Sequence, residues 1–251
     1  MKAMIFAAGL GTRLRPLTDH CPKALVPVAG RPMLEHVIQR LRNAGFNDLI
    51  INIHHQGEQI IEYLKKHPFP KTTIRISDER NILLDTGGGI LKARPMLDGN
   101  EPFLIHNVDI LSDIDLHAFY QQHLQTGAEA SLLVSKRHTT RYLLFDEKYY
   151  LHGWTNKETG EVKPANINPA TYLQLAFGGI HVFSPSLFKR MEMNKWQGRF
   201  SIIPFYLSIC NEANIKGIKA NDEDQWFDIG KPETLKQAEI WLNRKNSLLK
   251  S

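Results

Sequence analysis

The chain has 251 residues, 42% hydrophobic and 23% charged, with a formal net charge of +5. That length buries one sizeable core, and a single elaborated α/β domain is the default expectation. The positive balance fits an anionic partner, but lysine and arginine are scattered without a block of like charges, so a nucleic-acid patch is not expected.

Only Cys21 and Cys210 occur, in no metal-like or redox-like spacing, which predicts reduced thiols in a cytosol. The apolar run Ala3 to Ala8 mimics a signal peptide but stops at Gly9 and meets Arg13 and Arg15, too early for an h-region. No other stretch is long and apolar enough to span a bilayer. A cytoplasmic protein with no membrane partner is the expectation.

Residues 2–8 read as a buried strand, and Gly9 to Thr12 as a tight glycine loop. Pro32 opens a helix whose apolar positions are Met33, Leu34, Val37, Ile38 and Leu41, closed by Gly45. Leu49 to Ile53 is a strand, Ile60, Ile61 and Leu64 mark a helix, and Thr73 to Ile76 is a strand. Gly87, Gly88 and Gly89 lead into a short helix around Ile90 to Leu97, and the strand Phe103 to Val108 ends at Asp109. This alternation predicts an α/β fold: a Rossmann-like, mostly parallel central sheet with helices on both faces.

The rhythm then changes. Ser131 to Ser135 and Tyr142 to Phe145 read as strands, and residues 146–172 are polar without a clear period. Leu173 to Phe183 is a strand containing Gly178 and Gly179; helices follow near Ser186 to Met191 and Ile202 to Cys210. A strand at 215–219 precedes Gln225 to Gly230, and Pro232 opens a terminal helix to about Leu249. Without an internal repeat or linker, residues 1–251 are expected to form one domain, with 111–251 extending the sheet of 1–110.

The loop Gly9-Leu10-Gly11-Thr12-Arg13 follows a strand, where glycines let backbone N–H groups approach a phosphate. Leu14 stands where a dinucleotide fingerprint needs its third glycine, and Thr12-Arg13 does not end a Walker loop. The continuation is Pro22-Lys23-Ala24-Leu25-Val26-Pro27-Val28, then Gly30-Arg31-Pro32-Met33. Late in the chain comes Trp226-Phe227-Asp228-Ile229-Gly230. In this order over essentially the whole chain, these motifs resemble the sugar-1-phosphate nucleotidyltransferases that make nucleoside-diphosphate sugars.

The resemblance implies the nucleotide-diphospho-sugar transferase fold, with 1–110 as a nucleotide-binding half and 111–251 as a sugar-binding half. It assigns Ala8, Gly9, Gly11 and Thr12 to the nucleotide, Arg13 to the leaving pyrophosphate, and Lys23 to the sugar phosphate or α-phosphate. An Arg fork spans two phosphate oxygens and a Lys is a mobile point charge. Arg15 and Arg31 stay open between a phosphate role and surface charge. Thr86, Gly87 and Gly88 are assigned to the base and ribose. Their run is similar to the Thr-Gly-Gly-Gly form of uridylyl- and guanylyltransferase-like members, including the N-acetylmuramate-1-phosphate uridylyltransferases and mannose-1-phosphate guanylyltransferases. Three consecutive glycines cost backbone entropy, so a flat base against bare backbone explains them better than packing does.

Asp109 and Asp228 are implied as the carboxylates for Mg2+, which takes few protein ligands beside substrate phosphates and waters. Val108 replaces the family's glycine before the first Asp, and Glu161-Val162-Lys163-Pro164 interrupts a Glu-Lys-Pro triplet. Asn107, Gly179 and Lys163 are therefore assigned to the sugar while Glu161 is not, and Trp154 and Tyr172 are read as pocket walls or simple packing. Asp113, Asp115, Asp222 and Asp224 are read as helix-start or loop residues.

The expected partners are a nucleoside triphosphate, UTP first and GTP second, and an amino-sugar or hexose 1-phosphate of cell-wall sugar metabolism. A homo-oligomer is compatible with the sequence. Little chain follows the last motif, so no appended hexapeptide-repeat acyltransferase domain is expected. A catalytically silent nucleotide-sugar-binding subunit is the alternative, and retention of Arg13, Lys23, Asp109 and Asp228 favours activity. Zinc and α/β-hydrolase patterns are absent. A nicotinamide oxidoreductase fails at the third glycine.

Overall fold

In the computed structural model, which describes residues 1–248, the contacts group the chain into two units. The first holds Met1–Leu83, His106–Asp113 and the segment from Gln225; the second holds Leu84–Ile105 and Ile114–Asp224. The grouping does not follow a cut near residue 110, because the C-terminal segment belongs with the N-terminal one.

The first unit is built on parallel strands. β1 (Lys2–Phe6) is followed by the short hairpin strands β2 (Pro27–Val28) and β3 (Arg31–Pro32), then α1 (Met33–Asn43), β4 (Asp48–Ile53), α2 (Gly57–Lys66) and β5 (Thr73–Asp78). β4 lies between β1 and β5, parallel to both, with Met4 opposite Ile50 and Ile50 opposite Arg75. Two crossover helices make this parallel order possible. Met33, Leu34, Val37, Ile38 and Leu41 of α1 are buried, as their helical spacing predicts, and Phe46 is buried beyond the helix end.

In the second unit come α3 (Asp85–Leu97), β6 (Phe103–Asn107), whose last two residues belong to the first unit, and, in the first unit, β7 (Ile110–Ser112). The second unit resumes with α4 (Leu116–Thr126), β8 (Ala130–Ser135), β9 (Arg141–Phe145), β10 (Leu151–Asn156), β11 (Val162–Lys163), β12 (Leu173–Phe183), α5 (Ser186–Met193), α6 (Ile202–Ile209) and β13 (Ile215–Lys219). The first unit closes with β14 (Trp226–Asp228) and α7 (Pro232–Leu248). Leu249, where the last helix was expected to end, lies outside the described residues.

The parallel arrangement expected of the sheet is seen in β1, β4 and β5. In the second unit the order β11-β10-β9-β12 is antiparallel throughout, β8 runs antiparallel to β12, and β13 is parallel to β8. Its core packs Phe103 against Phe183 at 5.2 Å and Phe183 against Phe188 at 5.1 Å, the rings of both pairs tilted. Among the described residues, no helix is long and apolar enough to cross a membrane.

Three sequence expectations are corrected. Residues 146–172 hold β10 and β11, and α4 and β7 occupy 110–126, which was read without elements. The helix expected from Ile90 begins at Asp85, so Gly87, Gly88 and Gly89 are helical and buried. The reading of Asp115 as a helix-start residue is supported: its carboxylate accepts the Ala118 N–H at 2.9 Å, and Gly127 ends α4 in the left-handed conformation.

Candidate active site

The glycine loop is pinned at both ends. The Ala7 N–H donates to Asn52 Oδ1 at 2.8 Å, and Asn52 Nδ2 donates to Glu79 Oε1 at 2.8 Å. These buried polar groups, which sequence reasoning missed, fix where the chain leaves β1. At the far end Gly11 is left-handed, φ 67°, and its carbonyl accepts from the Leu14 N–H at 2.9 Å and the Thr18 hydroxyl at 2.8 Å. A β-carbon at Gly11 would stand 2.9 Å from Thr18 Cγ2, so glycine is required there twice over. Ala8 is buried, whereas Gly9 and Thr12 are exposed, with open space where a β-carbon at Gly9 would stand.

Arg13 sits in the helical turn Thr12–Leu14, and Lys23 opens a second turn, Lys23–Leu25. Lys23 Nζ donates to Asp109 Oδ2, with both side chains nearly buried. Arg13 Nη2 lies 3.8 Å from Asp228 Oδ2. β14 pairs antiparallel with β7, setting Asp228 opposite Ile110, and the Ile229 N–H donates to the Asp109 carbonyl at 2.8 Å. Backbone register thus brings two carboxylates, one from the middle of the chain and one from its last part, into one place.

Gly230 completes this cluster and was not singled out as a site residue. A β-carbon there would stand 2.8 Å from Arg13 Nη2, 2.8 Å from Asp228 Oδ1 and 2.9 Å from Lys23 Nζ. The Gly230 N–H donates to Asp228 Oδ1 at 3.0 Å. Bare backbone at this point is what lets two cations and a carboxylate converge. Its sequence signal was the spacing Asp228-Ile229-Gly230.

Two oxygen-donor carboxylates suit Mg2+, which keeps waters and substrate phosphates in its shell. Asp109 and Asp228 are the residues that could hold such an ion, and among the described residues no group of three His, Cys, Asp or Glu is assembled. Three residues before Asp109, His106 is fully buried; desolvation chiefly, with the Arg40 charge, lowers its pKa to about 3, so it stays neutral. Val108 is only 4% exposed, and its N–H is taken by the Phe6 carbonyl at 3.1 Å. Little of its surface is therefore exposed. Asn107 ends β6, and its carbonyl hydrogen-bonds His106 Nδ1 at 2.7 Å. Arg15 pairs with Asp19 at 3.4 Å and Arg31 with Glu35 at 3.9 Å, both as surface charge.

In the second unit the glycine run has a packing reason, which corrects the view that packing explains it poorly. A β-carbon at Gly87 would stand 2.3 Å from the Phe200 ring, and one at Gly88 would stand 2.2 Å from the Gly198 carbonyl oxygen. The N–H groups of both glycines donate to the Phe200 carbonyl, at 2.9 and 3.1 Å, and Thr86 Oγ1 accepts from the Ile202 N–H at 2.9 Å. Gly178 meets Leu133, side chain and carbonyl, and Gly179 has φ 72° within a bulge of β12 against β8. Close approach of β8 therefore accounts for Gly178.

Lys163 lines a cavity of about 710 Å³ together with Trp154; its Nζ is 3.0 Å from Glu161 Oε1 and 5.4 Å from the Trp154 ring centre. Tyr172 stands against His152 at 5.4 Å and is not part of that lining.

A family model described as nucleotidyl transferase matches residues 2–244, and the chain belongs to that family. Among its relatives, the N-acetylmuramate alpha-1-phosphate uridylyltransferase of Neisseria meningitidis serogroup B is 33% identical over 240 residues, covering 95% of this chain and 97% of that protein. The mannose-1-phosphate guanylyltransferase catalytic subunit beta of Dictyostelium discoideum is 28% identical over 93% of this chain and 62% of its own length. Two solved structures share the fold. Apo UDP-glucose pyrophosphorylase has a TM-score of 0.79 at 16% identity, covering 98% of this chain and 99% of that one. A glucose-1-phosphate thymidylyltransferase described as putative, from Bacillus anthracis, also has a TM-score of 0.79 at 16% identity, over 96% of this chain and 94% of that one.

Proposed function

We propose that the chain joins a nucleoside triphosphate, UTP before GTP, to a sugar 1-phosphate, giving a nucleoside-diphosphate sugar and pyrophosphate. The observation that carries this reading is the convergence of Arg13, Lys23 and Asp228 at Gly230, with Lys23 also on Asp109. Two cations beside two carboxylates can bind phosphates and a divalent ion together. The names of the uridylyl- and guanylyltransferase relatives support the same reaction class.

An oxygen of the sugar phosphate attacks the α-phosphorus, and the bond to the leaving pyrophosphate breaks. No protein nucleophile is required, so positioning and charge neutralisation supply the rate. Arg13 grips the leaving pyrophosphate with its fork, and Lys23 neutralises the attacking sugar phosphate or the α-phosphate. Lys23 is held by its hydrogen bond to Asp109, and Arg13 lies 3.8 Å from Asp228. Mg2+, when held by Asp109 and Asp228, supplies positive charge for phosphate oxygens. The backbone of Ala8, Gly9, Gly11 and Thr12 serves the triphosphate. Thr86, Gly87 and Gly88 serve the base on resemblance alone, since packing already accounts for their glycines. Asn107, Gly179 and Lys163 serve the sugar.

The test is pyrophosphate release from UTP, GTP, CTP and ATP against a panel of sugar 1-phosphates with Mg2+. Release with UTP or GTP supports the reading. No release with any pair, from a folded protein, rejects it. A protein that still bound the nucleotide sugar in that case would be the silent subunit.

A further inference from the structure

The parallel strands of the first unit end on an open edge. β5 pairs with β4 through six consecutive residues, Thr73 to Asp78, without a bulge, and no strand pairs with its other side among the described residues. Sheet edges are commonly blunted by proline, by a bulge or by an unpaired charge. β5 has none of these. The charge within it, Arg75, is taken by Asp48 of β4 at 2.7 and 2.8 Å, and Asp78 at its end pairs with Arg80 at 2.6 Å.

The edge is also apolar. Alternate residues of a strand share a face. On one face Ile74 and Ile76 border a groove of about 350 Å³, whose other wall includes Ile61, Leu64 and Phe69. All five are half-buried. Arg42 fixes the turn that leads into β5: its Nε donates to Thr72 Oγ1 at 2.8 Å and its Nη2 to the Pro70 carbonyl at 2.9 Å. A strand edge already fixed beside an apolar groove accepts another strand at little ordering cost.

The charges along the edge select that strand. Lys65, Lys66 and Lys71 are exposed at the end where α2 finishes and β5 begins. Glu58 and Asp78 lie at the other end, both paired with the single guanidinium of Arg80. One end is basic and the other carries an excess of carboxylate, so the edge is complementary to itself when reversed.

We propose that β5 pairs antiparallel with β5 of a second copy of this chain, about a two-fold axis normal to the sheet, giving an isologous dimer. Such an axis keeps each side chain on its own face, so odd residues meet odd and even meet even. With Arg75 on the axis, Ile74 of each copy stands opposite Ile76 of the other, and Thr72 stands opposite Asp78. Each Arg75 meets its counterpart already neutralised by its own Asp48. The lysines of one copy lie toward Glu58 and Asp78 of the other. The inference concerns assembly and does not depend on the reaction.

The experiment is sedimentation equilibrium of the full chain over a range of concentrations, with a thermal melt for each variant. The wild type is expected to be a concentration-dependent dimer. Ile74→Lys puts a charge into both apolar pairs and should raise the dimer dissociation constant about 10²-fold, the weight of one hot-spot side chain. Two sets of exposed substitutions keep the test open should that variant not fold. Lys65→Glu with Lys66→Glu and Lys71→Glu leaves acidic ends only, and Glu58→Lys with Asp78→Lys leaves basic ends only. Each set alone should be monomeric, and the two mixed one to one should dimerise, because every end then meets its opposite. A wild type that is monomeric at every concentration overturns the proposal and leaves the edge to a different partner. A dimer as tight in both charge sets as in the wild type overturns it by placing the interface elsewhere. A mixture that stays monomeric overturns the antiparallel arrangement.

Discussion

The Ile229 N–H donates to the carbonyl oxygen of Asp109 at 2.8 Å, next to the β7–β14 pairing that sets Asp228 opposite Ile110. Two aspartates, one from the middle of the chain and one from its last part, are thus brought together by main-chain register. Asp109→Asn and Asp228→Asn should therefore leave the backbone ladder intact while removing a negative charge from the metal donors. Each is expected to cost about 4 kcal/mol of transition-state stabilisation, roughly 10³-fold in turnover. Steady-state kinetics with limiting Mg2+, beside a thermal melt, check this. Wild-type turnover in either variant would sink the two-carboxylate assignment.

Lys23 and Arg13 differ in surroundings. Lys23 is 11% exposed and directly on Asp109, whereas Arg13 is 52% exposed and 3.8 Å from Asp228. Lys23→Ala and Arg13→Ala should each lower kcat/KM by about 10²–10³-fold, the range for losing one preorganised electrostatic donor. Arg13→Lys should not restore full activity, because a point charge does not span two oxygens. Equal kinetics for Arg13→Lys and wild type would reject the bidentate role.

Two glycines should respond oppositely to alanine. At Gly230 the new methyl would press on Arg13 Nη2, Asp228 Oδ1 and Lys23 Nζ, all at or near the ends of side chains that can swing away. Gly230→Ala should therefore keep its melting temperature and lose activity. At Gly88 the methyl would meet the Gly198 carbonyl oxygen at 2.2 Å, where only backbone can give. Gly88→Ala should lose about 1–3 kcal/mol of stability, the usual cost of overpacking. Denaturation and kcat/KM measured on both variants decide it. A destabilised Gly230→Ala with normal activity per folded molecule would show that glycine to be structural.

Much of this was legible along the chain because local signals were strong. The helix through Met33 and Leu41 carries a clean apolar period, and Leu173 to Phe183 is an apolar strand whose limits match β12. Asp109 and Asp228 were legible as separate motifs; their meeting depends on β7, three residues long, too short to carry a period of its own. β10 was hidden because His152, Thr155 and Asn156 break its apolar pattern, and Gly153 is there for the Lys163 carbonyl, 2.5 Å from where its β-carbon would stand. α4 was hidden in mixed composition, although Leu116, Phe119, Tyr120 and His123 bury one helical stripe. The glycines at 87 and 88 show the converse. Their composition suggested a ligand, and only the position of Phe200, far along the chain, shows what fills their bare faces.

Buried histidines predict how stability depends on pH. His181 is fully buried, burial lowers its pKa to about 3, and neither ring nitrogen has a hydrogen-bond partner among the described residues. Its ring lies 5.6 Å from Phe177 and edge-on to Tyr206 at 5.8 Å. Burial also lowers His123 to about 4. A histidine in the unfolded chain titrates near 6.5. Below that pH the unfolded state binds protons that the folded state refuses. Stability is fully present above about pH 6.5 and is lost as pH falls from there toward the folded values, by about 1.4 kcal/mol per pH unit for each such histidine. Melting temperatures between pH 7.5 and 5 should therefore fall. His181→Phe replaces an unpartnered polar ring with an apolar one of similar shape, so its curve should fall less steeply than the wild type's. Parallel curves for the two proteins would show that His181 is protonated in the folded state or carries a bound partner.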